Sequence, residues 1–233
     1  MKKIIVAHRG ANKHAVENSL EAFEKAIEMG ADMIEFDVRK TKDNKFVIQH
    51  DEFIRNIPIR ELTYKDIKGI KSNILLLEEA LDCLKNRALV DIEIKEEGNE
   101  KEIINLVLKC FGNKGLVITS FNDNSVKFIK ENYPELRVGL LLGKEKPKNV
   151  VLVRFSELFP ANRLRNTKAD FLAPHSRLLK FGFLQRANKN RIPLFVWGIK
   201  DKKSIISLLK KDGVEALIVD NLDDVISLNE SVL

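Results

Sequence analysis

The stretch Met33–Asp51, MIEFDVRKTKDNKFVIQHD, decides the fold and points to a functional site. Its first half alternates apolar residues with two carboxylates, Glu35 and Asp37, which share one face because side chains two apart on a strand point the same way. A second apolar run follows after a link far too short for the crossover that parallel strands require. We therefore predict an antiparallel hairpin turning at 42–44, which sets His50 opposite one of the two acids or the residue between them.

Composition bounds the class of protein. The 233 residues are 44% hydrophobic, enough for a sizeable core, and no apolar run approaches the roughly 20 residues of a membrane span. Lys2-Lys3 leads into only a short apolar run, so we expect no signal peptide. Cys83 and Cys110 lack CxxC spacing, which favours reduced thiols and a cytoplasmic location. The net charge of +6 suits an anionic ligand, but the scattered basic residues favour a solvated surface over a nucleic-acid groove.

Strands and helices alternate along the chain. Setting the antiparallel arm aside, eight predicted strands begin near Ile4, Met33, Leu89, Leu116, Arg137, Phe171, Leu194 and Ala216. Helical spacing fills nearly every interval between them, as at 18–29 and 101–111. This alternation predicts a (β/α)₈ TIM barrel with a hairpin arm after its second strand.

A doubly wound open sheet is the alternative architecture. No Gly-x-Gly-x-x-Gly follows a strand, so dinucleotide binding has no support. The sequence shows neither a Pro-, Gly- or Ser-rich linker nor an internal repeat, and we predict one domain over residues 1–233. Secondary structure is hardest to predict for residues 143–169, where we expect a short helix at 156–166, around Pro160.

A barrel places its active site at the C-terminal ends of its strands. Polar residues stand at most of the predicted ends, namely His8, Arg9, Glu35, Asp37, Glu93, Lys95, Ser120, Asn122, His175, Trp197, Lys200 and Asp220. All four histidines, with His14 and His50 among them, fall at such ends or in the loops above them. This clustering favours a working site.

The acids of this group suit a metal ion. Glu35, Asp37 and Glu93 would face one cavity, and hard cations such as Mg²⁺ or Ca²⁺ take carboxylate oxygen ligands. The alternative is that these acids form buried salt bridges with Arg9 and Lys95. We favour the metal, because an acid pair inside a barrel strand is costly without a function.

The basic residues and histidines suit phosphate chemistry. The Arg9 guanidinium can donate two parallel hydrogen bonds to phosphate oxygens, and the Lys95 ammonium group offers them a single positive charge. The alternative is that both residues only balance the charge of the nearby acids. His8 and His50 are predicted to reach the site from two strand ends, where they would act as acid and base on opposite sides of a phosphorus centre. The imidazole group suits this task because its ordinary pKa lies near neutral pH.

An ordered set of motifs resembles the glycerophosphodiester phosphodiesterase family. The motifs are His8-Arg9-Gly10, Glu17-Asn18-Ser19, Gly30-Ala31-Asp32, Ile34-Glu35-Phe36-Asp37-Val38, Thr41-Lys42-Asp43, His50-Asp51 and Ile92-Glu93-Ile94-Lys95. The resemblance implies a TIM barrel that uses a divalent cation to hydrolyse glycerophosphodiesters to sn-glycerol 3-phosphate and an alcohol. It implies these roles: catalytic His8 and His50, metal ligands Glu35, Asp37 and Glu93, and phosphate-binding Arg9 and Lys95.

The departures from the family pattern affect the substrate side. Val16 stands where the family usually has Pro, the late tryptophan motif reads Trp197-Gly198-Ile199-Lys200, and the cap between His50 and Leu77 is reduced. Trp197 lies on the side expected to hold glycerol and the leaving group, so we count it among the substrate-binding residues.

Three functions compete at this point. The first is a cytoplasmic glycerophosphodiester hydrolase with a small-molecule substrate, no nucleic acid and no stable membrane insertion. The second is a lipid phosphodiesterase of the lysophospholipase D or sphingomyelinase D kind, although we identify no exposed amphipathic anchor in the sequence. The third is a non-catalytic barrel that binds phosphate or nucleic acid, which the intact acid/base pair disfavours. The sequence leaves open the oligomeric state, the histidine roles, and direct water attack or a cyclic phosphate.

Overall fold

Buried apolar segments form the strands of the molecule. The computed structural model describes residues 2–144 and 149–229, without the side chains of residues 226, 227 and 229. Its strands are β1 (Ile4–His8), β2 (Met33–Lys40), β3 (Phe46–Ile48), β4 (Phe53–Ile54), β5 (Ile57–Pro58), β6 (Leu89–Ile94), β7 (Leu116–Ser120), β8 (Val138–Leu142), β9 (Phe171–Pro174), β10 (Leu194–Val196) and β11 (Val214–Val219).

Eight of these strands are parallel and close into a barrel. The order around the barrel is β1, β2, β6, β7, β8, β9, β10 and β11, and β1 pairs with both β2 and β11. This closure confirms the predicted (β/α)₈ architecture and removes the open-sheet alternative. The predicted starts of β8 and β11 differ from the observed ones by one and two residues.

Helices surround the barrel. They are α1 (Leu20–Glu28), α2 (Tyr64–Ile70), α3 (Leu77–Leu84), α4 (Glu100–Cys110), α5 (Asp123–Asn132), α6 (Val150–Leu158), α7 (Ala161–Thr167), α8 (Phe183–Lys189), α9 (Lys202–Leu209) and α10 (Asp223–Asn229), with short 3₁₀ helices at Ile59–Glu61 and Ser176–Leu178. Among the described residues, none of these helices is both long and apolar enough to cross a bilayer.

The core has two layers, as a barrel requires. The larger cluster lies between the strands and the surrounding helices. It includes Phe23 and Phe36, whose ring centroids are 5.7 Å apart. The smaller cluster fills the barrel interior, where the Phe171 and Phe195 rings stack at 4.2 Å. Gly139 makes room for them, because a Cβ at this position would stand 2.2 Å from the Phe171 ring.

The hairpin arm has the register that brings His50 to the site. β3 pairs antiparallel with β2, with Val38 opposite Ile48, and the N–H of Gln49 donates to the carbonyl of Asp37 at 2.9 Å. His50 therefore lies level with Phe36, the residue between the two acids, as predicted. Asn44 adopts a positive φ of 59° in the turn, which asparagine tolerates better than most residues.

The predicted reduced cap follows the arm. The β4–β5 hairpin, the first 3₁₀ helix and α2 enclose a small apolar cluster of their own. Ile59, Ile67 and Ile74 are fully or nearly fully buried in this cluster and pack with Val47 of the arm.

The structure corrects the prediction for the segment 143–169. Two helices, α6 and α7, replace the single short helix expected at 156–166. The helical conformation is interrupted between them at Phe159 and Pro160. A proline disfavours helical backbone in the residue before it and lacks the N–H that a helix interior needs.

Candidate active site

The sequence-predicted residues converge on one cavity at the C-terminal ends of the barrel strands. The cavity has a volume of about 1060 Å³. Its lining includes the predicted site residues His8, Arg9, Glu35, His50, Glu93, Lys95 and Trp197. Asp37, the remaining predicted residue, is completely buried next to them.

Strand register brings four carboxyl groups together in two rows. Glu35 of β2 lies beside Asp91 of β6, and Asp37 lies beside Glu93. All four side chains are buried. One oxygen from each of Glu35, Asp37 and Glu93 lies within 4.8 Å of the other two. This spacing allows one ion to contact all three of them.

Two cations compensate part of this negative charge. The Lys95 Nζ atom lies 2.8 Å from Asp37 Oδ1 and 2.6 Å from Glu93 Oε1, and Arg9 Nε lies 3.3 Å from Asp37 Oδ2. Burial alone would raise the pKa of Asp37, but the charges of Lys95 and Arg9 outweigh it and hold that pKa below its usual value. The salt bridges that we weighed against a metal site are therefore present in the structure.

The remaining two carboxyl groups, Glu35 and Asp91, form no salt bridge with a Lys or Arg side chain of the described residues. Burial, reinforced by Asp37 and Glu93, raises the pKa of Glu35 well above its usual value. Burial also raises the pKa of Asp91 to about 7, although Thr119 Oγ1 donates to it at 2.8 Å. Four carboxyls thus share two cations, and Arg9 also serves Glu17, so the cluster has room for additional positive charge. The second oxygen of Asp91 is buried without a hydrogen-bond partner. This donor set fits a hard divalent cation.

His8 is held in one tautomer by a carboxylate. Its Nδ1 lies 2.6 Å from Asp220 Oδ1, and because a carboxylate only accepts hydrogen bonds, the proton sits on Nδ1. The hydrogen bond from His8 lowers the pKa of Asp220 to about 2. Asn12 Nδ2 donates to Asp220 at 3.0 Å and to the His8 carbonyl at 2.9 Å. The Nε2 atom of His8, 3.9 Å from Glu35 Oε2, therefore remains for chemistry in the cavity.

His50 has a similar arrangement at the end of the arm. Its Nδ1 lies 2.9 Å from the carboxylate of Asp51, and Arg39 donates two hydrogen bonds to its backbone carbonyl, at 2.9 and 2.7 Å. The arm thus holds the backbone of His50 in place. Because Asp51 contacts Nδ1, the Nε2 atom of His50 remains available at the cavity, as does the Nε2 atom of His8.

A known family matches this combination of a barrel, a buried acid cluster and two imidazoles that each contact a carboxylate through Nδ1. The model of the glycerophosphoryl diester phosphodiesterase family covers residues 8–224. The chain belongs to this family. The protein is accordingly an enzyme.

Individual relatives agree with this assignment over nearly the full length. The chain is 30% identical to the glycerophosphodiester phosphodiesterase of Caldanaerobacter subterraneus subsp. tengcongensis, with 98% of each chain covered. It is 25% identical to the solved glycerophosphodiester phosphodiesterase of Thermotoga maritima, with a TM-score of 0.79 and coverage of 98% and 99%. An Oleispira antarctica phosphodiesterase, solved with the product sn-glycerol-3-phosphate, shares the fold at 22% identity, with a TM-score of 0.80 and coverage of 97% and 96%.

Sequence reasoning missed several polar residues of this phosphodiesterase family member. Asp220 stood at a predicted strand end, but nothing in the sequence paired it with His8. Asn18 donates to Asp37 Oδ2 at 2.9 Å, and both carboxylate oxygens of Glu17 accept from Arg9 Nη1. The motif Glu17-Asn18 was the available signal for these two residues.

Trp197 presents its ring and not its N–H to the cavity. The indole nitrogen donates to the carbonyls of Leu142 and Ala173, at 3.2 and 3.0 Å. The ring packs edge-on against Phe121 and His175, with centroid distances of 5.8 and 4.6 Å. Trp197 is therefore suited to forming an apolar wall of the cavity.

The four histidines divide between the cavity and its surroundings. His8, His50 and His175 line the cavity. His14 instead places its Nε2 atom 2.8 Å from Asp223 of α10. All four histidines therefore lie at strand ends or in the loops above them, as predicted, and three of them line the cavity.

Proposed function

We propose that the enzyme hydrolyses glycerophosphodiesters to sn-glycerol 3-phosphate and an alcohol, with Mg²⁺ or Ca²⁺ as its cofactor. The observation that carries this proposal is one cavity lined by Glu35, Glu93 and the imidazoles of His8 and His50, with Asp37 buried within ion-binding distance of the two glutamates. The reaction named for the Caldanaerobacter and Thermotoga relatives supports the substrate class. The product bound to the Oleispira enzyme is one of the two expected products.

Glu35, Asp37 and Glu93 would hold the cation, and the carboxyl of Asp91 lies next to Glu35 on the neighbouring strand. A bound divalent cation supplies electrostatic stabilisation of the charge on the phosphate oxygens. Lys95 already shares two of these carboxylates. We infer that it stays beside the ion as a fixed positive charge.

Arg9 and Lys95 are proposed to hold the phosphate. Arg9 donates to Glu17 through Nη1, and its Nε forms an ion pair with Asp37. A guanidinium has five N–H donors, so donors remain for substrate oxygens. Their charges offset the negative charge on the equatorial oxygens, as phosphoryl chemistry requires. The ring of Trp197 would pack against glycerol or the leaving group.

Two proton transfers are assigned to the two histidines. One imidazole removes a proton from the nucleophile, which is water or the glycerol 2-hydroxyl, as its oxygen bonds to phosphorus. The other protonates the alkoxide oxygen as its bond to phosphorus breaks. If the 2-hydroxyl attacks, the cyclic phosphate that forms is opened in a second step by water.

A lipid phosphodiester is the second candidate substrate. Exposed apolar side chains lie at the same end of the barrel as the cavity. They include Phe155 of α6, the helix that follows β8, and Phe181 of the loop that follows β9. Such a surface suits a substrate with an acyl chain.

The free thiols Cys83 and Cys110 support the cytoplasmic location that we propose.

Turnover with three diesters tests this function. The protein is incubated with glycerophosphocholine, glycerophosphoethanolamine or lysophosphatidylcholine, in Mg²⁺ or Ca²⁺ and in EDTA, and the released alcohol and phosphate product are measured. We expect turnover of the two glycerophosphodiesters in the presence of the cation and loss of turnover in EDTA. Preference for lysophosphatidylcholine would favour the lipid reaction. Turnover unaffected by EDTA would refute the metal assignment, and no turnover of any diester would favour a binding protein.

The imidazole assignment has a matched pair of variants. His50→Ala should lower kcat by about 10²- to 10⁴-fold, because a positioned proton-transfer group contributes on this scale. His14→Ala removes a histidine that pairs with Asp223 at 2.8 Å and should leave kcat within about twofold, since such surface pairs are weak. Near-wild-type turnover by a folded His50→Ala protein would remove His50 from the mechanism.

A further inference from the structure

Helix α6 buries an acidic residue, Glu157, and exposes most of its large apolar residues. Glu157 is 1% exposed, and its carboxylate accepts from the backbone N–H groups of Gly143 and Lys144, at 2.8 and 2.9 Å. Arg154 donates to the same carboxylate at 2.6 Å. By contrast, Val151 is 78% exposed and Phe155 is 65% exposed. A surface helix of a globular protein normally has the reverse arrangement, so this face needs an explanation.

The exposed apolar residues of α6 continue onto a neighbouring loop. Arg186 of α8 donates to the carbonyls of Leu158 and Phe181, at 2.8 and 2.5 Å, and its guanidinium lies 4.7 Å from the centre of the Phe159 ring. Phe181 itself is 77% exposed. We call this surface the apolar rim, and it consists of Val150, Val151, Leu152, Phe155, Phe159 and Phe181. Large exposed apolar patches of this kind mark interaction sites.

The apolar rim lies at the end of the barrel where the cavity opens. α6 follows the C-terminal end of β8, and Phe181 follows the C-terminal end of β9. Lys144, whose N–H is fixed by Glu157, also lines the cavity. A partner bound to the rim would therefore stand next to the cavity opening.

The sequence around the rim is strongly basic. Residues 144–191 contain twelve Lys or Arg and three Asp or Glu, a formal charge of +9, whereas the whole chain carries +6. The remainder of the chain is therefore at −3. Arg154 is neutralised by the buried Glu157. Among the other described residues that follow β8 and β9, Lys144, Arg177 and Lys180 are cations without an acidic partner in an ion pair. The rim thus combines exposed apolar side chains with a positive surround.

We propose that the apolar rim docks on an anionic lipid surface. A short helix with large apolar residues and nearby Lys or Arg lies in the interface of a bilayer, with its apolar side among the acyl chains and its cations at the headgroups. With nine residues, α6 is far too short to span a bilayer, and docking at the interface needs no span.

A second copy of the chain fits this surface less well. In a two-fold dimer the same patch meets itself, so the positive surround of one copy would face that of the other. An anionic lipid surface instead offers the opposite charge. The proposal is independent of the reaction assigned to the cavity, because it concerns binding alone.

Sedimentation with lipid vesicles tests the docking. The full chain is mixed in EDTA with vesicles of phosphatidylcholine alone or of phosphatidylcholine with phosphatidylglycerol, and the bound fraction is measured. We expect binding to the phosphatidylglycerol vesicles that weakens as NaCl is raised, since salt screens the attraction to anionic headgroups. Phe155→Ser should weaken binding about tenfold, because it removes a large apolar group from the lipid phase.

A phenylalanine of α5 provides the matched control. Phe128 is 36% exposed on a helix outside the rim, and Phe128→Ser should bind vesicles as the wild type does. Glycerophosphocholine turnover by Phe155→Ser within about twofold of wild type, or an unchanged unfolding transition if the wild type turns over no diester, shows that the variant is folded. Absence of wild-type vesicle binding, or equal binding by Phe155→Ser and wild type, overturns the proposal. A dimer that depends on Phe155, detected by light scattering without vesicle binding, would assign the rim to a second copy.

Discussion

At the scale of single residues, the site depends on which nitrogen of an imidazole carries the proton. Asp220 accepts from His8 Nδ1 at 2.6 Å and leaves Nε2 for the cavity. We predict that Asp220→Asn lowers kcat by about 10²-fold or more with little change in KM. An asparagine amide can donate to Nδ1 and so favour the wrong tautomer, which is costly in comparable histidine–aspartate pairs.

A second histidine–aspartate pair in the same region is the control for this prediction. Asp223 lies 2.8 Å from His14 Nε2, and Asp223→Asn should leave kcat within about twofold. Steady-state kinetics of both variants, with circular dichroism to check folding, make the comparison. Equal kcat values for Asp220→Asn and wild type would show that Asp220 does not position His8.

At the scale of elements, the strands were predictable and one helix was not. Barrel strands are buried on both faces and appear as short apolar runs, so all eight were found. The turn of the arm limited the level of His50 to Glu35, Phe36 or Asp37, and the structure places it at Phe36. The apolar run Val150–Val153 was also visible, but it did not predict α6. The rules for amphipathic helices assume that apolar residues face inward, and α6 instead buries Glu157.

The burial of Glu157 makes α6 testable as an element. Glu157→Ala leaves the N–H groups of Gly143 and Lys144 without the carboxylate that they share. We predict a loss of about 1–3 kcal/mol in the free energy of unfolding, the cost of leaving buried donors unsatisfied. Urea unfolding measures this loss.

A conservative variant separates the hydrogen bonds of Glu157 from its charge. Glu157→Gln keeps one side-chain oxygen that can accept from the two N–H groups but loses the charge that faces Arg154. Its loss of stability should be smaller than that of Glu157→Ala. The same urea midpoint for Glu157→Ala and wild type would mean that the carboxylate does not fasten α6 to β8.

At the scale of the whole molecule, the sequence located the site but not its internal pairing. His8, Glu35 and Glu93 were assigned to one cavity because the ends of parallel strands meet at one end of a barrel. The contact between His8 and Asp220 joins residues 212 apart in the chain, and no local pattern indicates it. The excess of carboxyls over cations is also a collective property, since it depends on which strands are neighbours.

This excess of negative charge predicts how the stability of the protein responds to a cation. In EDTA, Glu35→Gln should be at least as stable as wild type, because burial and the neighbouring Asp37 and Glu93 disfavour the charged form of Glu35. With Mg²⁺ or Ca²⁺ at about 100 times the dissociation constant, wild type should gain about 2.7 kcal/mol. For a chain of this length, that gain corresponds to a rise of about 5–10 °C in Tm.

The order of stability between the two proteins should therefore reverse when the cation is added. Glu35→Gln has lost one of the three proposed ligands and should show little rise in Tm. Glu131→Gln alters a half-exposed acid of α5, whose nearest cation is Lys127 at 4.0 Å, and should keep the full rise. Thermal unfolding of the three proteins in EDTA and in each cation gives the comparison. If the Tm of wild type is the same in EDTA and in both cations, the carboxyl cluster holds no ion, and its charge is balanced by Arg9, Lys95 and protonation alone.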